Sequence, residues 1–152
     1  MSEYLQTVFE KFELRVRKGY YYTEDGLWTS VDDPRIRVGV TDYLQRTGGD
    51  VAFVDLVKPG STVQKRTEIG TLETAKTTVS LLSPVSGTVE EVNGMLLEKP
   101  ELVNSDPYGE GWLIILTPHS LEDDLKMLMS ADDYFQLMLK KLETEHKKPE
   151  PK

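Results

Sequence analysis

The chain reads as an α+β domain, a β-rich sandwich with helices at both ends. Three observations lead there. Short runs rich in β-branched and aromatic residues recur from Tyr20 to Leu116, bounded by Gly, Pro, Asn or Asp. Serine-capped amphipathic segments close the chain, and an apolar stripe at helical spacing opens it. At 152 residues it is one domain, large enough to bury its own core without covalent staples.

Taken in order, Ser2 to Arg17 places Leu5, Val8, Phe9 and Phe12 at helical spacing behind Ser2 as an N-cap. This predicts a helical extension over residues 1–19, packed on the body or offering its stripe to a partner. Tyr20 to Thr23 and Leu27 to Val31 read as strand pieces. Asp32-Asp33-Pro34 turns the chain into the alternating strand Ile36, Val38, Val40. Thr41 caps a short helix through Gln45, which Gly48-Gly49-Asp50 breaks before the apolar run Val51 to Val57. After Val92 the segment to Tyr108 has too many Pro, Asn and Asp residues for regular structure. Gly111 to Leu116 reads as a strand buried on both faces. Ser120 to Leu128 and Ser130 to Leu142 read as helices, with Asp123 and Asp133 each three residues after its serine. The body is thus residues 20–142, followed by a charged, proline-bearing tail, 143–152, that frays.

The stretch Gly70 to Ser80 organises the middle of the chain. One lysine, Lys76, sits among small and β-branched residues, between two turn-and-strand runs, Gly60-Ser61-Thr62-Val63 and Gly87-Thr88-Val89. A β-hairpin with one exposed amine at its tip is what this pattern makes. The plain alternative is a solvated lysine in a surface turn.

Composition narrows the chemistry. Without cysteine there is no disulfide, thiolate metal site or thiol nucleophile, so redox chemistry must come from an attached group. A net charge of −8 argues against nucleic acid. No run reaches membrane-spanning length and no apolar signal segment opens the chain, so the expectation is a soluble cytoplasmic protein without a membrane role. The histidines are His119, beside Pro118, and His146, in the tail, and neither is placed as a general base. Asp32-Asp33 and Glu122-Asp123-Asp124 fall in a turn and at a helix start, where carboxylates have structural reasons to be. The polypeptide is read as having no catalytic residues and no metal site of its own.

Glu73 to Lys76 resembles the lipoylation site of lipoyl carrier domains, with an acidic residue three positions before the lysine. Further stretches narrow the resemblance to the H protein of the glycine cleavage system. They are Tyr22-Thr23 with Trp28, Gly39 to Tyr43, Gly49 to Val54, Ser83 to Gly87 and Glu101 to Trp112. The resemblance covers about residues 20 to 135. It implies a lipoyl-type hammerhead, or barrel-sandwich hybrid, that carries lipoic acid covalently on Lys76, with Glu73 and Ala75 beside it. Arginine would not serve at 76, because its guanidinium stays protonated and is a poor acyl acceptor. Ala75 and Thr77 stand where biotinyl carriers usually place methionine, which argues against biotin. The implied partners are a lipoate ligase or lipoyl transferase and, in glycine cleavage, a decarboxylase, an aminomethyltransferase and dihydrolipoamide dehydrogenase.

The sequence departs from that family where the aminomethyl cargo is held. The family's serine or lysine, histidine, glutamate and tryptophan in the first strand become Asp25-Gly26-Leu27-Trp28, so the glutamate position is Leu27. The cleft histidine aligns with Thr47, and the aspartate four residues after the lysine aligns with Ser80. Asp25 restores one negative charge. These departures favour an H-like branch, the lipoate-binding proteins that work with heterodisulfide-reductase-like complexes in sulfur oxidation. Glycine cleavage is the alternative, and an unmodified interaction protein is a third reading.

Overall fold

The computed structural model describes residues 3–145. The opening segment is a β-hairpin, not the expected helix. Strands β1 (Tyr4–Phe9) and β2 (Phe12–Arg17) pair antiparallel, Leu5 opposite Val16 and Thr7 opposite Leu14, around a turn at Glu10-Lys11. Period two won over period 3.6 because Leu14 and Val16 are the buried residues, while Val8, a member of the supposed helical stripe, is 70% exposed. Tyr4, Thr7, Val8, Phe9 and Val16 are also strand formers. Ser2, the expected cap, lies outside the described residues.

The main sheet has six strands, in the order β3 (Tyr21–Tyr22), β4 (Leu27–Asp32), β5 (Arg35–Val40), β11 (Ile114–Pro118), β10 (Gly87–Val92) and β7 (Thr62–Val63). A second sheet runs β6 (Val51–Leu56), β8 (Glu68–Thr74), β9 (Thr78–Leu82). Every pairing in both is antiparallel. Ile36, Val38 and Val40 of the main sheet share one apolar cluster with Val54, Ile69, Leu72 and Leu81 of the second. The sheets keep free edges, so this β-rich body is an open sandwich and not a closed barrel.

A second cluster joins the opening hairpin to the C-terminal end. Helix α5 (Ala131–Glu145) buries Tyr134, Met138 and Leu142, one per turn, among Leu14, Val16, Tyr22 and Trp28. The rings of Tyr22 and Tyr134 stack at 4.8 Å. Trp28 is fully buried, donates Nε1–H to the Pro107 carbonyl at 2.9 Å, and lies over Gly39, where any Cβ would collide with the indole.

Helix α1 (Asp42–Gly48) starts at Thr41, whose Oγ1 accepts the Leu44 N–H at 3.2 Å, and it runs past the expected end at Gln45. The polar segment expected to be irregular contains two single-turn helices, α2 (Met95–Glu98) and α3 (Leu102–Ser105). Tertiary bonds invisible to local propensity hold this region. Asn93 donates to the carbonyls of Glu110 (2.7 Å) and Trp112 (2.8 Å) while accepting the Met95 N–H. Helix α4 (Leu121–Leu125) lacks a cap bond from Ser120, whereas Ser130 Oγ accepts the Asp133 N–H at the start of α5. Residues 143–145 of the expected tail form the last turn of α5; residues 146–152, with His146, lie outside the described residues.

Candidate functional site

Strands β8 and β9 form the expected hairpin, with Thr71 opposite Ser80, Leu72 opposite Val79 and Glu73 opposite Thr78. Leu72 and Leu81 anchor it in the core. Two-residue hairpin tips usually need φ above zero, but neither Ala75 nor Lys76 has it. Thr74 makes the turn possible instead. Its Oγ1 accepts the N–H groups of Lys76 (3.2 Å) and Thr77 (3.0 Å), and its backbone N–H donates to the Thr77 carbonyl at 2.9 Å. A side-chain oxygen thus does what a backbone carbonyl does in an ordinary turn.

Lys76 is exposed, and among the described residues no hydrogen bond or ion pair engages its ammonium. Its stem lies along Gly49, the residue that ends α1: a Cβ built there would sit 3.4 Å from Lys76 Cδ and 3.5 Å from Cγ. Gly48 meets the side chain of Val79, and Ala75 donates its N–H to the Asp50 carbonyl at 3.4 Å. The end of α1 is therefore the floor beneath the hairpin tip. Asn104 of α3 fixes that floor, donating to Gln45 Oε1 and the Gly49 carbonyl, each at 3.1 Å, and accepting the Val51 N–H at 2.8 Å. The sequence reading has Gly49 only as a helix break and both Gly49 and Asn104 only within family stretches, neither as part of the site. The glycine's helix-ending position was a signal for one; nothing local marked the other.

The remaining predicted residues are dispersed. Glu73 is exposed on β8, between Thr78 on one side and the exposed ring of Phe53 on the other. Thr47, on the last turn of α1, is half-buried and donates its hydroxyl to the Tyr43 carbonyl at 2.8 Å. Ser80 is exposed and donates to Glu68 Oε1 at 2.6 Å. Leu27 is buried in the main core. Asp25 lines a cavity of about 240 Å³ with Glu24, Lys65, Arg66 and Met127, which Lys76 does not line. Of the four expected cleft residues, Ser80 thus lies on the hairpin itself and Thr47 directly precedes the Gly48-Gly49 floor. The exposed His119 contacts the Thr88 hydroxyl at 3.0 Å, and no group of three acidic or histidine residues that could hold a metal occurs among the described residues.

A sandwich that presents one unengaged lysine amine on a glycine-floored hairpin tip has the form of a carrier. Comparison with known proteins gives the kind. The glycine cleavage H-protein family matches residues 20–141. The chain is 43% identical over 128 residues to the "Probable glycine cleavage system H protein" of Thermococcus gammatolerans, covering 84% of this chain and 95% of that one. It is 41% identical over 121 residues to the glycine cleavage system H protein of Listeria monocytogenes, covering 80% and 96%. The crystal structure of the Mycobacterium marinum glycine cleavage system H protein superposes with a TM-score of 0.74 at 31% identity, covering 80% of this chain and 97% of that one. The chain belongs to the glycine cleavage H-protein family, and it is a non-catalytic carrier of lipoate bound covalently through a lysine.

These relatives favour glycine cleavage over the sulfur-oxidation branch that the sequence departures suggested. Of the positions where the sequence departs from the family, Leu27 packs inside the core and the exposed Ser80 bonds Glu68. Among the described residues no helix is long and apolar enough to cross a membrane.

Proposed function

We propose that Lys76 is the lipoylated residue and that the chain serves glycine cleavage. It would take an aminomethyl group from a glycine decarboxylase, yield it to an aminomethyltransferase, and be reoxidised by dihydrolipoamide dehydrogenase. The observation that carries this reading is the exposed Lys76 amine on a tip that Thr74 closes and Gly49 supports. When bound, the lipoyl dithiolane supplies the reversible disulfide that this cysteine-free chain lacks. The residues of the chain do the rest. Thr74 fixes the turn, so a lipoate ligase or lipoyl transferase meets one backbone geometry. The Gly49 floor supports the aliphatic stem and leaves Nζ in solvent, where it can form an amide. Tethering keeps the cofactor at high effective concentration for each enzyme that docks.

Intact mass of the protein from its native host tests the site: a lipoyl increment is expected on the wild type and none on Lys76→Arg. An increment that survives in Lys76→Arg moves the site elsewhere. Glycine–bicarbonate exchange with the lipoylated protein and a glycine decarboxylase tests the pathway. Exchange no faster than background would remove glycine cleavage while leaving the carrier intact.

A further inference from the structure

Among the described residues Phe12 and Phe53 are the exposed aromatic side chains, and the fold treats them differently. Phe12, 40% exposed, lies under the Arg46 guanidinium at 4.0 Å. Phe53, 67% exposed, belongs to neither apolar cluster, and no ring or cation covers it. Its exposure comes from a β-bulge. Val51 pairs with Thr74 and Phe53 with Glu73, so two steps on β6 answer one on β8. Strict alternation would turn Phe53 to the same side as the buried Val51. With the bulge, Ala52 and Phe53 are both exposed, and Val54 returns to the core. The bulge has re-aimed an aromatic ring into solvent, one ladder pair from the threonine that closes the tip.

Phe53 thus begins a row, Phe53–Glu73–Thr78, that crosses the outer face of the second sheet next to the tip. The following row is Asp55–Thr71–Ser80, with Ser80 bonded to Glu68. No lysine or arginine stands on β6, β8 or β9. This face therefore offers one uncovered ring rimmed by the exposed carboxylates of Glu73, Asp55 and Glu68. We infer that Phe53 is the docking anchor for the lipoate ligase, seated in an apolar socket of that enzyme with a cationic rim.

The inference rests on the reading of Lys76 as the lipoylated residue, and reach selects the ligase as the occupant. The ligase must bring an acyl carbon to Nζ itself, at the end of a four-carbon stem that lies along Gly49. Its surface therefore has to cover the residues one ladder pair away. Enzymes that act on the finished arm meet sulfurs carried beyond that stem by the lipoyl chain, and need not close on the sheet. Seating the ring in the ligase also supplies the apolar burial that the bulge denies it within the chain.

Initial rates of lipoyl mass gain, with lipoate, ATP and the host's lipoate ligase, read KM and kcat for the full chain as substrate. Phe53→Thr removes the ring and keeps a β-branched strand former. Its KM should rise about tenfold with kcat within about twofold of wild type, because an anchor holds the complex and leaves the chemistry at Nζ alone. Phe53→Tyr should restore KM. Asp55→Asn should raise KM by about two- to threefold, and added salt should raise it for the wild type. Met127→Thr is the control: that side chain is 73% exposed and lines a cavity with Leu82, at the end of β9 away from the tip, so KM should not move. All four variants should melt with the wild type. A measurement without any change at Phe53 uses Lys76→Arg as a dead-end substrate, whose amide exchange across residues 52–55 should slow when the ligase is added. A wild type that gains no mass at Lys76 overturns this inference together with the reading beneath it. Normal gain with an unchanged KM in Phe53→Thr, or exchange across 52–55 that the ligase does not slow, overturns the docking alone. So does a Phe53→Thr protein that is lipoylated normally and then exchanges glycine and bicarbonate slowly with a glycine decarboxylase, since the ring would then face that enzyme.

Discussion

The stem of Lys76 lies on the backbone of Gly49, within 3.4 Å of where a Cβ would begin. Gly49 also has φ 95° and ψ −177°, a combination open essentially to glycine alone. Backbone conformation, and not space, restricts the residue beneath the arm to glycine, since the approach of the stem is ordinary van der Waals contact.

Gly49→Ala should therefore lower stability by ~1–3 kcal/mol from backbone strain. It should also slow lipoylation of Lys76, because relieving that strain shifts the backbone on which the stem lies. Gly48→Ala is the control: its added Cβ meets Val79 at an ordinary 3.6 Å, and a helical alanine is favourable. Urea unfolding and the rate of lipoyl mass gain separate the two. Equal effects at both positions would remove Gly49 from the site.

Leu27→Glu restores the family's carboxylate at a position that here has 1% exposure. Leu27 belongs to an apolar cluster, so the loss should be at least ~3 kcal/mol, or folding should fail. Ser80→Asp and Thr47→His lie at exposed and half-buried positions and should each change stability by less than ~1.5 kcal/mol. Denaturant midpoints read this directly. A Leu27→Glu protein as stable as the wild type would mean that position 27 opens to solvent.

Asp42 accepts the Arg15 N–H and sits 3.5 Å from the Arg15 guanidine, yet burial holds its pKa above the ordinary 3.8. Raised in the folded state, it favours folding in its protonated form. That contribution is full below the ordinary value and is lost as pH rises through the raised one. Relative to Asp42→Asn, which keeps an oxygen for the Arg15 N–H, the wild type should lose stability from below pH 3.8 towards neutrality. Unfolding of both proteins across that range checks the sign. A difference that grows in the wild type's favour would show the ion pair outweighing the burial.

The hairpin around Lys76 was legible because its signals are local: alternation, a lone lysine, and an acid three residues ahead. So were the Thr41 and Ser130 caps, which act within one helical turn. The opening hairpin was misread because Leu5, Val8, Phe9 and Phe12 satisfy a helical period by accident. What decides between periods is the apolar cluster with Trp28, Tyr108 and Tyr134 that Leu14 and Val16 join. The cleft residues were placed by alignment, and alignment does not say which way a side chain points. Leu27 turns inward and Ser80 turns to Glu68, and both directions come from strand register.

Asn104 ties together segments that are far apart in the chain: Gln45, Gly49 and Val51 on one side, its own short helix on the other. This bears on portability. A peptide spanning 68–82 carries the lysine, the acid before it and the threonine that closes the turn, yet it leaves behind the Gly49 backbone along which the lysine's stem lies. Grafted onto a foreign loop, it would be a poor acceptor tag. The smallest piece that could be moved to another protein and still be modified is the folded body that brings residues 41–56 and 102–105 beneath the tip.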